Sequence, residues 1–244
     1  MKKAGSLLLV NLVASLNQLK TLVLDLLFPP RCVGCGTGGS FLCSPCQSAL
    51  PHLPTPLCAK CGKPLSFGTL CHDCENHPIE IEGIRSIFPF NGVVRQAIIQ
   101  FKYQNVKALA APLAKLMGEY LGAHPLPADT LIPVPLHPRR LRERGYNQSS
   151  LLARELSKLA SLPIVEGALL RLKNTPPQTK TNSAEDRQSN VAGAFTCRDQ
   201  QLARRRILLI DDVCTSGATL DACATTLKRA GATSVWGLTL AREV

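Results

Sequence analysis

The sequence predicts an α/β fold, with a mostly parallel sheet covered by helices on both faces, behind a small cysteine-built module and an N-terminal amphipathic helix. Three patterns carry that expectation. Apolar runs alternate with helical periodicity from about Ile84 onward, eight cysteines fall into four Cys-x-x-Cys pairs between Cys32 and Cys74, and the first 28 residues carry an apolar stripe at three- and four-residue spacing. A chain of 244 residues with 45% hydrophobic content can bury one ordinary core and carry a smaller appendage. The expected division is residues 1–28 for the helix, 29–78 for a double cysteine module and 84–244 for the α/β domain.

At the N-terminus, Lys2 and Lys3 ahead of an apolar stretch imitate a signal peptide. Asn11, Ser15, Asn17, Gln18, Lys20 and Asp25 interrupt the run before it reaches the roughly twenty apolar residues that a bilayer requires. Leu8, Leu12, Leu16, Leu19, Val23 and Leu26 instead mark one face of an amphipathic helix, read as a docking helix with weak membrane association as the alternative. No integral membrane span is expected. Pro29 and Pro30 end the helix.

The stretch from 31 to 76 is too poor in periodic apolar residues to build a conventional core, so another force must hold it. Cys32-x-x-Cys35, Cys43-x-x-Cys46, Cys58-x-x-Cys61 and Cys71-x-x-Cys74 have metal-ligand spacing. Two tetrahedral Zn²⁺ sites of four thiolates follow, structural because no position is left open for a reacting water. Gly36 and Gly62 stand where the backbone must curl around the sulfurs. Disulfides or a redox dithiol would not need the fourfold repetition, and an iron–sulfur cluster is a lesser alternative. Sequential pairing along the chain is expected, with interleaved pairing as the alternative. His52, His72 and His77 are left outside the ligand sets. Metal-type cysteine usage favours a reducing, cytoplasmic location.

Beyond Ile84 the strand candidates are Ser86–Phe90, Thr130–Val134, Arg206–Ile210 and Ser234–Leu240. The helix candidates are Val93–Lys102, Leu109–Leu121, Gln148–Ala160 and Ala218–Ala230, the last stopped by Gly231. One polar segment, Arg171–Ala194, lacks periodicity and reads as a mobile active-site cover or an insertion. The formal charge of +11 is uneven: seven basic against five acidic residues up to Phe90, and twenty-one against twelve beyond it. The larger domain should attract polyanions, although charge alone does not separate phosphorylated small molecules from nucleic acid.

The most informative stretch is Arg206-Ile-Leu-Leu-Ile-Asp-Asp-Val-Cys-Thr-Ser-Gly-Ala-Thr219. A buried-type strand ends in two carboxylates and a hydroxyl-rich loop that opens a helix. A helix N-terminus offers unpaired N–H groups and a positive dipole end, so Thr215, Ser216, Gly217, Ala218 and Thr219 can surround a phosphate monoester without a lysine. The missing Gly-Lys-Ser/Thr argues against a nucleotide triphosphatase loop. Asp211 and Asp212 lie where open α/β sheets bind ligands and suit adjacent ribose hydroxyls. Cys214 adjoins the strand without an evident histidine partner and is read as packing rather than as a nucleophile.

Ile210–Thr219 resembles the phosphoribosyl pyrophosphate (PRPP) signature of type I phosphoribosyltransferases. Three further segments resemble the ComF family of competence-associated proteins: Pro133–Gln148, the run from Gln178 through Arg187-x-x-Asn190 to Phe195, and the cysteine module. The resemblance implies a type I phosphoribosyltransferase-like domain in which Asp211 and Asp212 hold the ribose hydroxyls and Thr215–Thr219 the 5-phosphate. It places Arg139 and Arg140, in the region from Val134 to Arg140, on the pyrophosphate side with Lys102 nearby. Mg²⁺ would accompany PRPP, and 171–190 would close over the ligand to exclude water. Members that salvage 6-oxopurines carry a carboxylate three residues after the second acidic residue; Thr215 stands there in this chain, which argues against purine salvage.

Two functions compete. One is transfer of a phosphoribosyl group from PRPP to a nitrogen nucleophile. The other is a non-catalytic accessory role in DNA uptake, with PRPP as regulator and Arg139, Arg140, Arg142 and Arg144 tracking single-stranded DNA beside other uptake proteins. Tyr146 is the sole aromatic noted near those arginines.

Overall fold

The apolar runs of the larger domain become the strands of one parallel sheet. The computed structural model describes residues 29–174, 193–198 and 202–244. Their strands are β1 (Gly83–Pro89), β2 (Thr130–Pro133), β3 (Leu169–Arg171), β4 (Phe195–Cys197), β5 (Arg206–Cys214) and β6 (Ser234–Arg242). β1, β6, β5 and β2 lie in that order with every pairing parallel, while β3 and β4 form an antiparallel pair. Ile207–Ile210 are fully buried, as expected for a central strand covered on both faces.

The helices are α1 (Ser44–Ser48), α2 (His72–Asn76), α3 (Gly92–Tyr103), α4 (Ala110–Ala123), α5 (Pro138–Arg144), α6 (Gln148–Ala160) and α7 (Ala218–Arg229). α7 lies against a cluster that includes Ile84, Ile207, Leu209, Leu220, Ala224 and Val235. α4 and α6 pack on one another, and α6 also lies on β2 and β5. Among the described residues no helix is long and apolar enough to cross a membrane. The expected helix over 1–28 lies outside the described residues, as does 175–192 of the expected cover.

Strands and helices predicted by periodicity fall within a few residues of their observed bounds, and α6 coincides with its prediction. β5 runs four residues further than predicted because its ladder with β6 continues through Asp211↔Thr239, Val213↔Ala241 and Cys214↔Arg242. The two aspartates therefore lie within the strand, with Val213 and Cys214 beyond them. α5 was not predicted: its seven residues carry no apolar stripe and none of them is buried. Pro138 at its start, the His137 ring accepting from Arg139 N at 3.2 Å, and left-handed Gly145 at its end define it.

The chain divides into two compact units at Ala49/Leu50. The expected module over 29–78 straddles that point, so its second half belongs to the same unit as the sheet. That half covers an exposed sheet edge: Lys60 O accepts from Ile84 N at 2.7 Å and Leu53 N donates to Ile87 O at 3.3 Å, both on edge strand β1. Gly62 permits the approach. Its φ is +74°, and a Cβ there would stand 2.3 Å from Ile84 O. At the opposite edge, Leu131 of β2 donates to Pro163 O and accepts from Val165 N.

Candidate functional site

The four sulfurs of Cys32, Cys35, Cys43 and Cys46 lie within 4.8 Å of one another, and so do those of Cys58, Cys61, Cys71 and Cys74. The sets are sequential, the expected pairing, and not interleaved. Each is built the same way. Cys32 N donates to Thr37 O and Gly36 N to Cys32 O in the first; Cys58 N donates to Lys63 O and Gly62 N to Cys58 O in the second. The amide of the third cysteine donates to the sulfur of the first at 3.4 Å in both sets. Against the upward push of burial, amides of Cys61 and Cys71 hold the Cys58 thiol down at about 6, which favours the thiolate that a metal requires. All eleven cysteines are free of disulfides. Four convergent thiols fit a Zn²⁺ ion in each set, and none of the histidines joins either set.

At the carboxyl end of β5 the two aspartates are held by different helices. Strand pleating sends successive side chains to opposite faces. Asp212, 3% exposed, pairs through Oδ1 with Lys102 Nζ from the end of α3 at 2.9 Å, and its Oδ2 has no partner among the described residues. Asp211 Oδ1 accepts from Ser149 Oγ at 2.8 Å, in the first turn of α6, and from Asp212 N at 2.9 Å. Burial, then the Asp212 charge, pushes the Asp211 carboxyl up to about 7, with Lys102 and Ser149 pulling it back. For Lys102, burial works against the charge, but Asp212 and Asp211 outweigh it and raise its pKa.

Immediately beyond, Thr215 and Ser216 are exposed and Gly217 turns the chain with φ +87° into α7. The left-handed backbone favours glycine at 217, and a Cβ there would also stand 2.8 Å from the terminal methyl of Ile84, which would have to shift. No side-chain cap satisfies the N-terminus of α7 from Gly217; Ser216 Oγ accepts from Ala218 N at 3.4 Å. The loop of Thr215, Ser216, Gly217, Ala218 and Thr219 thus offers amide and hydroxyl donors beside the carboxylates.

Lys102, Tyr103, Asn105, Arg140, Glu143, Arg144 and Tyr146 line a cavity of about 540 Å³ next to this end of the sheet. Arg140 is part of it. Arg139 is not: it lies on the exposed side of α5, paired with Glu143 at 2.9 Å. Three contributors escaped the sequence reading. Ser149 sits in a helix that periodicity located without assigning it a role. Tyr103, 69% exposed, lies under the Arg144 guanidinium at 5.1 Å, yet is forty-one residues away in sequence. Arg242 is buried at the end of β6 with Cys214, whose thiol burial pushes up to about 11 even though Arg242 pulls it down. Its burial fits the packing role expected of Cys214.

A family model described as a double zinc ribbon domain matches residues 23–75. The chain is 32% identical to competence protein F of Haemophilus influenzae over 85% of this chain and 96% of that protein. It is 30% identical to competence protein ComFC of Bacillus subtilis, over 83% and 84% respectively. It is 31% identical to DNA utilization protein YhgH of Escherichia coli, over 80% and 87%. Among solved structures, it is similar to the glutamine PRPP amidotransferase of B. subtilis, at 17% identity and a TM-score of 0.40 over 58% of this chain and 30% of that one. It is likewise similar to adenine phosphoribosyltransferase of Trypanosoma brucei, at 13% identity and a TM-score of 0.37 over 57% and 66%.

Proposed function

The chain belongs to the family of competence proteins F and ComFC, and from that premise we propose that it binds PRPP at the carboxyl end of β5 and takes part in handling DNA during uptake. The observation that carries the reading is the continuity of the site. Two carboxylates positioned by Ser149 and Lys102 run into a loop whose glycine has a left-handed backbone and whose helix start receives only the 3.4 Å contact of the Ser216 hydroxyl.

In this reading the amides and hydroxyls of Thr215, Ser216, Gly217, Ala218 and Thr219 receive the 5-phosphate. Asp211 and Asp212 accept from the two ribose hydroxyls. Lys102 and Arg140 face the pyrophosphate, with Arg139 farther out on α5. Mg²⁺ would arrive with PRPP and neutralise pyrophosphate charge. The chemistry open to such a site is transfer at C1 of the ribose: the bond to the pyrophosphate oxygen breaks, a bond to an acceptor nitrogen forms, and the acceptor's proton leaves. Zn²⁺ in the two thiolate sets is structural. A reducing compartment, the cytoplasm, keeps the thiols available.

The test is calorimetric titration of the zinc-loaded protein with PRPP and Mg²⁺. Saturable binding that Asp212→Asn weakens at least tenfold supports the reading. Wild-type affinity in Asp212→Asn sinks the assignment of the pocket.

A second reading, binding of single-stranded DNA with PRPP as regulator, is favoured by Tyr103. An exposed ring beneath Arg144, beside a cavity carrying Lys102 and Arg140, combines the stacking platform and positive charge that such binding uses. The two readings can coexist, because the cavity and the phosphate loop meet at the Lys102–Asp212 pair.

A further inference from the structure

Arg242 is 3% exposed and carries a charge that burial would make costly without close partners. One terminal nitrogen of its guanidinium donates to the carbonyl of Cys61 and to Cys214 Sγ at 3.2 Å. The other donates to the carbonyl of Thr215 at 3.0 Å. Cys61 belongs to the second thiolate set, and Thr215 opens the phosphate loop. One rigid fork therefore joins a metal knuckle to the loop, across 154 residues of sequence between those two carbonyls.

Ile84 makes a second connection in parallel. Its amide donates to Lys60 O inside the same knuckle, and its Cδ1 closes the space that a Cβ at Gly217 would need. The loop thus touches both Ile84 and Arg242, and both are bonded to the turn between Cys58 and Cys61. Displacing that turn would strip the Cys61 carbonyl from a buried cation, an outcome costly enough that knuckle, fork and loop should move as one.

We propose that the second ribbon is the floor of the phosphate loop, and that Arg242 is a positioning residue coupling metal occupancy at Cys58, Cys61, Cys71 and Cys74 to PRPP affinity. This rests on the PRPP reading above. A metal held by four thiolates leaves a net negative cluster, and the ligand's phosphate is a second anion; the buried guanidinium is bonded to the loop that supports each. Coupling between two binding equilibria is reciprocal, so PRPP must retain the metal as much as the metal improves PRPP binding.

The experiment follows zinc release from the full chain into a zinc-selective chelator, with and without saturating PRPP and Mg²⁺, alongside calorimetry of PRPP. In the wild type, the slow release phase, which belongs to the second set, lengthens several-fold with PRPP. In Arg242→Met that dependence disappears and PRPP affinity falls about tenfold, with Arg242→Lys, which can still reach one carbonyl, in between. A residue important only for stability would weaken binding but leave ligand-dependent zinc release intact. PRPP that binds the wild type and leaves the slow phase unchanged overturns the coupling while the site stands; absence of calorimetric binding overturns both. Should Arg242→Met fail to fold, zinc release from the wild type decides alone.

Discussion

Lys102 Nζ stands 2.9 Å from Asp212 Oδ1, with side chains 19% and 3% exposed, and this pair ties the end of α3 to the carboxyl end of β5. Breaking one side of a buried pair leaves a charge without compensation, at a cost of about 3–5 kcal/mol. Lys102→Met should therefore lower the free energy of unfolding in urea by an amount near the lower end of that range, since Lys102 keeps some solvent. Lys102→Met with Asp212→Asn should recover most of the loss. Additive losses in the double variant would show that the two residues are not coupled.

Asp211 sets a pH dependence. Its folded carboxyl titrates near 7 against an ordinary value of 3.8, because burial and the Asp212 charge oppose ionisation. Between those values the unfolded chain has released the proton and the folded chain keeps it, so this group's contribution falls as pH rises from about 4 to 7 and then levels. Asp211→Asn keeps an acceptor for Ser149 and removes the titration. Its melting temperature should match the wild type at pH 4 and exceed it at pH 8, by about 2–4 °C for each kcal/mol. A difference that does not vary with pH would mean that Asp211 ionises normally in the fold.

The two ribbons should respond unequally to the same change. Gly36 and Gly62 both have positive φ, at +76° and +74°, but a Cβ on Gly36 meets nothing within 4 Å whereas one on Gly62 meets Ile84 O at 2.3 Å. Gly36→Ala should cost only the left-handed strain, roughly 1–2 kcal/mol. Gly62→Ala should cost more and should also weaken PRPP binding, because Ile84 supports Gly217. Equal losses measured by thermal unfolding would count against the contact.

Metal removal should likewise be ordered. Cys58, Cys61 and Cys71 are buried, whereas only Cys32 is buried in the first set. A chelator should take two equivalents of zinc per chain, the first faster. Cys35→Ser should abolish the fast phase and Cys74→Ser the slow one.

Tyr103→Ala should weaken binding of a short single-stranded oligonucleotide by about 1–3 kcal/mol, the range for one base stacked on an aromatic ring. Arg140→Ala should instead flatten the salt dependence. Oligonucleotide affinity that ignores Tyr103 would place any DNA surface elsewhere.

Local sequence determined the four strands of the parallel sheet but not the β3–β4 pair, and also the long helices, both cysteine quartets and the Asp-Asp-to-Thr219 run, because periodicity, ligand spacing and helix-start chemistry act over fewer than about twenty residues. The pairing of the cysteines was not settled by spacing, which allowed an interleaved arrangement; the fold brings each sequential quartet together. Only tertiary structure decided what surrounds those motifs. β5 extends past Ile210 because β6 lies beside it; Arg139 turns away while Arg140 enters the cavity because α5 is a helix with no apolar stripe to announce it. Ser149, Tyr103 and Arg242 carry no motif, and their positions depend on pairings between segments 28 to 181 residues apart. The physical reason is that parallel strands joined by crossovers gather their carboxyl ends from distant sequence, so a site built there is assembled by packing and not by neighbours along the chain.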